Sequence, residues 1–265
     1  MPLIVFIAII RLFTVNKLGL NTIDKHNILN VAGIPMSELY LVRHAQASFG
    51  AANYDQLSDL GHQQSRWLGD HLNMRGATFD QLMVGDMVRH HETMNGICAG
   101  MGVDGAERLV IPELNEYNFV AMIESFNQAN GDDPLIKEIA DNPNDKRHHF
   151  RLLRKVLTLW TQDRVENVPE TWAEFKGRVQ DAQQQIMAMS NSGNRILAIG
   201  SGGSISTFVG LVLGIPDENI FDLNLQYKNT AISHFFFNKQ KMNLTGFNGI
   251  PHLDTNEMEQ YVTYG

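Results

Sequence analysis

The chain alternates short apolar runs with longer segments of helical period. Leu39, Tyr40, Leu41 and Val42 are consecutive, and residues 38–43 read as a short strand covered on both faces. Polar Gln46 and Ser48, with Gly50, end it. From Ser58 the period changes. Leu60, Gln64, Trp67, Leu68, His71 and Leu72 fall on one face of a helix that Ser58 can cap and Gly76 closes. Residues 80–84 read as a second strand, after which Asp86 is placed to cap a helix carrying Arg89 in its first turn. Residues 107–111 form a third strand, stopped by Pro112, whose exit loop holds Glu113 and Glu116.

Between residues 117 and 193 the pattern is polar and helical, with helices predicted over 120–129, 134–140, 150–161 and 172–190. Trp160, Trp172, Phe175 and Met187 read there as packing residues. Residues 195–200 return to a buried strand. Ser201-Gly202-Gly203-Ser204 follows, then a helix over 205–213 stopped by Gly214 and Pro216. A glycine-rich turn feeding a helix amino end exposes unpaired N–H groups and suits an anion. Residues 231–237 and 242–247, joined by a four-residue turn, predict a terminal hairpin.

Composition narrows the class. A chain of 265 residues with 43% hydrophobic and 19% charged residues can bury one large core without cross-links. The net charge of -8 argues against an extended nucleic-acid or anionic-membrane surface, so any positive potential must be local. One cysteine, Cys98, excludes an internal disulfide and fits a reducing, cytoplasmic compartment. The apolar stretch 2–10 is too short to span a bilayer and lacks a basic lead-in, while Met36-Ser37-Glu38 directly precedes the first strand. Residues 1–35 therefore read as an N-terminal extension outside the fold, with Met36 the natural start.

The chemistry begins at His44, at the carboxyl end of the first strand, where open α/β sheets place ligands. A neutral imidazole there is a nucleophile toward phosphorus, and the adjacent Arg43 can hold phosphate oxygens. The bland alternative is a histidine capping a strand beside a surface arginine. The run Leu41-Val42-Arg43-His44-Ala45 resembles the start of the histidine phosphatase, or phosphoglycerate mutase-like, superfamily. The likeness continues in order through 54–64, 85–93, Leu114-Asn115-Glu116 and Gly202-Gly203, covering about residues 37–265.

That resemblance implies an α/β fold: a three-layer α/β/α sandwich with a mostly parallel sheet, residues 36–265 forming the domain and about 117–193 a helical cap. It implies His44 as nucleophile, Arg43 and Arg89 as phosphate clamps, and Gly202 and Gly203 as amide donors. Glu116 is the acid, with Glu113 as fallback. No metal or cofactor is implied, and the partner is a small phosphorylated substrate. His90 and His91 read as flank residues outside the pocket, because successive helical side chains diverge by about 100°.

Two positions depart from the family. Ser201 stands where a histidine usually precedes Gly-Gly, so that a hydroxyl takes the place of a charged donor to the phosphate, and Gly50 where mutases carry a phosphate-touching asparagine. If another histidine fills the gap at Ser201, His252 is the first candidate and His234 the second. Three readings follow: a phosphomonoesterase working through a phosphohistidine, a catalytically weakened phosphate-binding protein, and a phosphoglycerate mutase. The mutase reading is weakened because residues 117–122 lack basic side chains to hold a glycerate carboxylate.

Overall fold

The structure, a computed structural model, describes residues 36–48, 55–143, 145–191 and 193–264. The expectations for residues 1–35 and for Gly50 lie outside these described residues. Among the described residues six strands form one sheet: β1 (Ser37–Arg43), β2 (Gln81–Val84), β3 (Leu109–Val110), β4 (Arg195–Gly200), β5 (Ile232–Phe237) and β6 (Met242–Gly249). Their order is β3-β2-β4-β1-β5-β6.

The sheet is mixed rather than mostly parallel. β3, β2, β4 and β1 pair in parallel, whereas β5 runs antiparallel to both β1 and β6. The cause lies in the connections. Helical crossovers join the first four strands, but only residues 238–241 join β5 to β6, too few to carry the chain back for a parallel partner.

Eight α-helices accompany the sheet among the described residues: α1 (Asp59–Met74), α2 (Val88–Met101), α3 (Phe119–Ala129), α4 (Pro134–Asp141), α5 (Lys146–Trp160), α6 (Trp172–Ala188), α7 (Gly202–Leu213) and α8 (Asp217–Asn224). Strand alternation sends side chains to two cores. Val42, Val84 and Ile199 pack with Leu68 and Leu72 of α1 and Met94 and Ile97 of α2. Leu39, Leu41 and Ala198 face the opposite way, toward Val179 and Ile186 of α6 and Phe208 of α7. The result is a three-layer α/β/α sandwich.

Local signals account for the helix ends. The Ser58 hydroxyl accepts the Gly61 amide at 3.0 Å, and Gly76 and Gly214 take the left-handed backbone that ends a helix cheaply only at glycine. Among the helices between β3 and β4, Trp160, Trp172 and Phe175 are buried as expected for packing residues. With Tyr117 and Phe221 they form one aromatic cluster with ring centroids 5.2 to 6.2 Å apart. Phe221 comes from α8, a helix that the sequence pattern did not mark.

Candidate active site

The carboxyl ends of β1, β2 and β4 and the loop after β3 open toward one place. β1 delivers Arg43 and His44, both almost fully buried. The His44 backbone is fixed on both sides: its N–H donates to Gly200 O at 3.0 Å, and its carbonyl accepts from Asn229 Nδ2 at 3.1 Å. Its ring Nδ1 lies 2.7 Å from Ala45 O. A carbonyl can only accept, so Nδ1 carries the proton and Nε2 presents a lone pair. Burial first, then the positive charges of Arg89 and Arg43 and the neighbouring His90, hold the imidazole well below its usual pKa of 6.5. His44 is therefore neutral near pH 7.

The two arginines stand around this ring. Arg43 donates through Nη1 to Tyr227 O and lies against Gly202, where an added Cβ would fall 3.3 Å from the guanidinium carbon. Arg89, in the first turn of α2, pairs through Nη1 with Asp55 Oδ1 at 2.7 Å. Thr93 couples the two segments, its hydroxyl accepting the Ala45 amide at 3.0 Å and donating to Arg89 O at 2.7 Å. Asp86 does not cap α2 as its position suggested. Asp55 reaches in from elsewhere to accept the Val88 amide at 2.9 Å, while Asn115 holds Asp86 through both its side-chain amide and the Asp86 N–H.

The remaining wall joins the loop after β3 to the start of α7. Ser204 Oγ donates to Leu114 O at 2.6 Å, and Gly203 N–H donates to Glu116 Oε2 at 3.0 Å. That approach needs glycine, since a Cβ on Gly203 would lie 2.2 Å from Glu116 Oε1. From the opposite side Arg178 of α6 donates to the carbonyls of Glu113 and Asn115 at 2.9 and 2.8 Å. It also pairs with Glu170 at 2.6 Å and stacks on Phe175. A buried imidazole, two guanidiniums and a carboxylate thus line the same end of the sheet, where the positive charge suits an anionic group.

The sequence model of the histidine phosphatase superfamily, branch 1, matches residues 39–249. The chain belongs to that superfamily. Solved structures agree on the fold. A phosphoglycerate mutase from Bacillus anthracis is 17% identical, with a TM-score of 0.59 over 82% of this chain and 95% of the other. A phosphoserine phosphatase from Entamoeba histolytica is 18% identical, with a TM-score of 0.57 over 82% and 100%. A mycobacterial glucosyl-3-phosphoglycerate phosphatase is 17% identical, with a TM-score of 0.55 over 80% and 99%. These structural neighbours thus include phosphatases and a mutase, and identities this low carry the fold alone. No curated protein matches the chain. No helix among the described residues is long and apolar enough to cross a membrane.

Of the residues that the superfamily resemblance singled out, Arg43, His44, Arg89, Glu116, Ser201, Gly202 and Gly203 are brought together. Two details differ. The Gly203 amide, expected to face phosphate, is taken by Glu116. Glu113 points to α6, accepting from Gln185 Nε2 at 3.1 Å rather than standing beside His44.

The histidines differ more. His90 is not a flank residue: it is fully buried, its Nε2 lies 2.8 Å from Ser201 Oγ, and its ring centroid is 5.7 Å from that of His44. Helical divergence did not keep it away from the site, because the start of α2 is buried on more than one side, with Arg89, His90 and Thr93 all enclosed. Gly85 supplied a signal: a Cβ on it would lie 2.3 Å from His90 Nδ1. His252 and His234 are elsewhere. His252 Nε2 meets Thr230 Oγ1 at 2.8 Å, and His234 pairs with Glu38 at 3.1 Å and with Thr245 Oγ1 at 2.7 Å. Among the described residues it is His90, not either of these, that hydrogen-bonds to Ser201.

Proposed function

We propose that this superfamily member is a metal-independent phosphomonoesterase that passes through a phosphohistidine on His44. The observation that carries the reading is the state of His44: neutral, buried between two guanidiniums, with Nδ1 tied to Ala45 O so that Nε2 is the free nitrogen. In the first step the Nε2 lone pair attacks phosphorus and the P–O bond to the substrate alcohol breaks. Arg43 and Arg89 hold the equatorial oxygens as their charge develops, and Glu116 gives its proton to the departing oxygen. In the second step water attacks the phosphohistidine, Glu116 takes the water proton, and His44 leaves with its electron pair restored. The guanidiniums supply the positive charge that the transferring group requires. Small phosphate monoesters are the substrate class.

Brief incubation with a phosphorus-labelled monoester, followed by denaturation, tests this. The label is expected on the chain as an acid-labile, alkali-stable adduct that His44→Ala lacks. Turnover without any such adduct, or label retained by His44→Ala, refutes the phosphohistidine route.

A further inference from the structure

We infer that His90 and Ser201 act as one unit, in which the His90 imidazole orients the Ser201 hydroxyl as a donor to the transferring phosphoryl group. The inference rests on the phosphohydrolase reading above and assigns residues to it. The Ser201 hydroxyl sits at the start of α7, beside the glycine that lies against Arg43, and is fully buried. A buried hydroxyl with no fixed partner can rotate, and a rotating donor stabilises a developing charge less than one already aimed. His90 removes that freedom at 2.8 Å.

The direction of the hydrogen bond follows from the other ring nitrogen. His90 Nδ1 is buried without a hydrogen-bond partner among the described residues and faces Gly85. A bare lone pair in that place is cheaper than an orphaned N–H, so the proton belongs on Nε2. Nε2–H then donates to Ser201 Oγ, and the serine proton is left to point elsewhere. In the capping box of α7 that oxygen also receives the Ser204 N–H, and its own proton meets only Met87 Sδ at 3.9 Å among the described residues, a weak acceptor that a phosphoryl oxygen would outcompete. The His90 ring that holds this hydroxyl has its centroid 5.7 Å from that of His44, so the donor stands on the side of the site where a group attached to His44 would lie. Burial, with Arg89 and His91 beside it, favours neutral His90, which keeps the single-proton tautomer the relay needs. Ser201 is thus the catalytic donor and His90 a positioning residue.

Turnover of nitrophenyl phosphate by the full chain, with melting temperature as the folding control, decides the matter. His90→Ala and Ser201→Ala should each lower kcat about a hundredfold, the usual weight of one transition-state donor. The double variant should be no worse than either single one, because the unit is already broken. Ser201→His in the His90→Ala background returns an imidazole to the emptied space and should recover at least about tenfold of the loss. If His90→Ala does not melt cooperatively, His90→Gln fills the same space with an N–H donor and should retain more activity than Ser201→Ala. Independent, multiplying losses overturn the inference, as does a His90→Ala enzyme within about threefold of wild type. A swap that recovers nothing, or a folded His90→Gln no better than Ser201→Ala, overturns it too. Wild type with neither turnover nor phosphohistidine removes the phosphohydrolase reading and this inference together. An active wild type with an indifferent His90 removes only the latter.

Discussion

Removing the Arg178 side chain should disturb both stability and the placement of Glu116. Its guanidinium crosses from α6 to the loop after β3, with good bonds to Glu113 O and Asn115 O and a longer one to Glu116 O at 3.4 Å. A hydrogen bond from a charged donor contributes about 1.5–3 kcal/mol, so the two short ones give roughly 3–6 kcal/mol. The side chain keeps 21% of its exposure, and the Glu170 pair is partly screened, so about 3 kcal/mol is the better figure for Arg178→Met. For a domain of this size that corresponds to a fall of roughly 6–12 °C in melting temperature. Arg178→Lys should recover little of it, since one ammonium cannot span two carbonyls and a carboxylate in the same geometry. The assay pairs thermal melting with turnover of an alkyl phosphate. A variant melting within about 2 °C of wild type with unchanged kcat would show that the loop holds its shape without the guanidinium.

Two further outcomes follow from the site. Glu116→Gln should slow alkyl phosphates far more than nitrophenyl phosphate, whose leaving group scarcely needs a proton, and equal losses in steady-state assays would point to a structural role. Stability should fall as pH drops below about 6.5. There the unfolded chain protonates His44, His90 and His252, whereas burial keeps all three depressed in the folded state, His252 to about 3. Stability is thus full above that pH and is lost toward each folded pKa, each group approaching about 1.4 kcal/mol per pH unit. Urea midpoints between pH 7.5 and 5 measure this, and a flat profile contradicts it.

The parts of the molecule legible in the sequence were those set by local rules. The apolar run before Arg43 gave β1, Ser58 and Gly76 bracketed α1, and 195–200 matched β4. The motif residues converge because each sits at the end of such an element. Strand direction was less legible, since alternation of side chains is the same in either direction and only the short 238–241 connection fixed part of it. α8 escaped notice because Pro216 ends one pattern and a single turn or two of mixed residues follows. The divergence of successive helical side chains separates residues on a helix flank but not in a first turn buried on more than one side, which is why His90 lies in the site. Position along the chain points to His252 and His234, but Thr230 and Glu38 hold them in space.

The place of β1 between β4 and β5 has a consequence for the order in which the protein can come to life. During synthesis β1 waits for partners that begin at Arg195 and Ile232, so its edges stay unpaired while some 150 intervening residues are made. Contacts this distant along the chain form late, after their loop-closure entropy has been overcome. His44 takes its backbone anchor from Gly200 and Asn229, on that same late-arriving part. A nascent or clipped chain lacking it holds His44 but has no pocket around it, so on the proposed phosphohydrolase reading the appearance of turnover would time the final closure of the sheet.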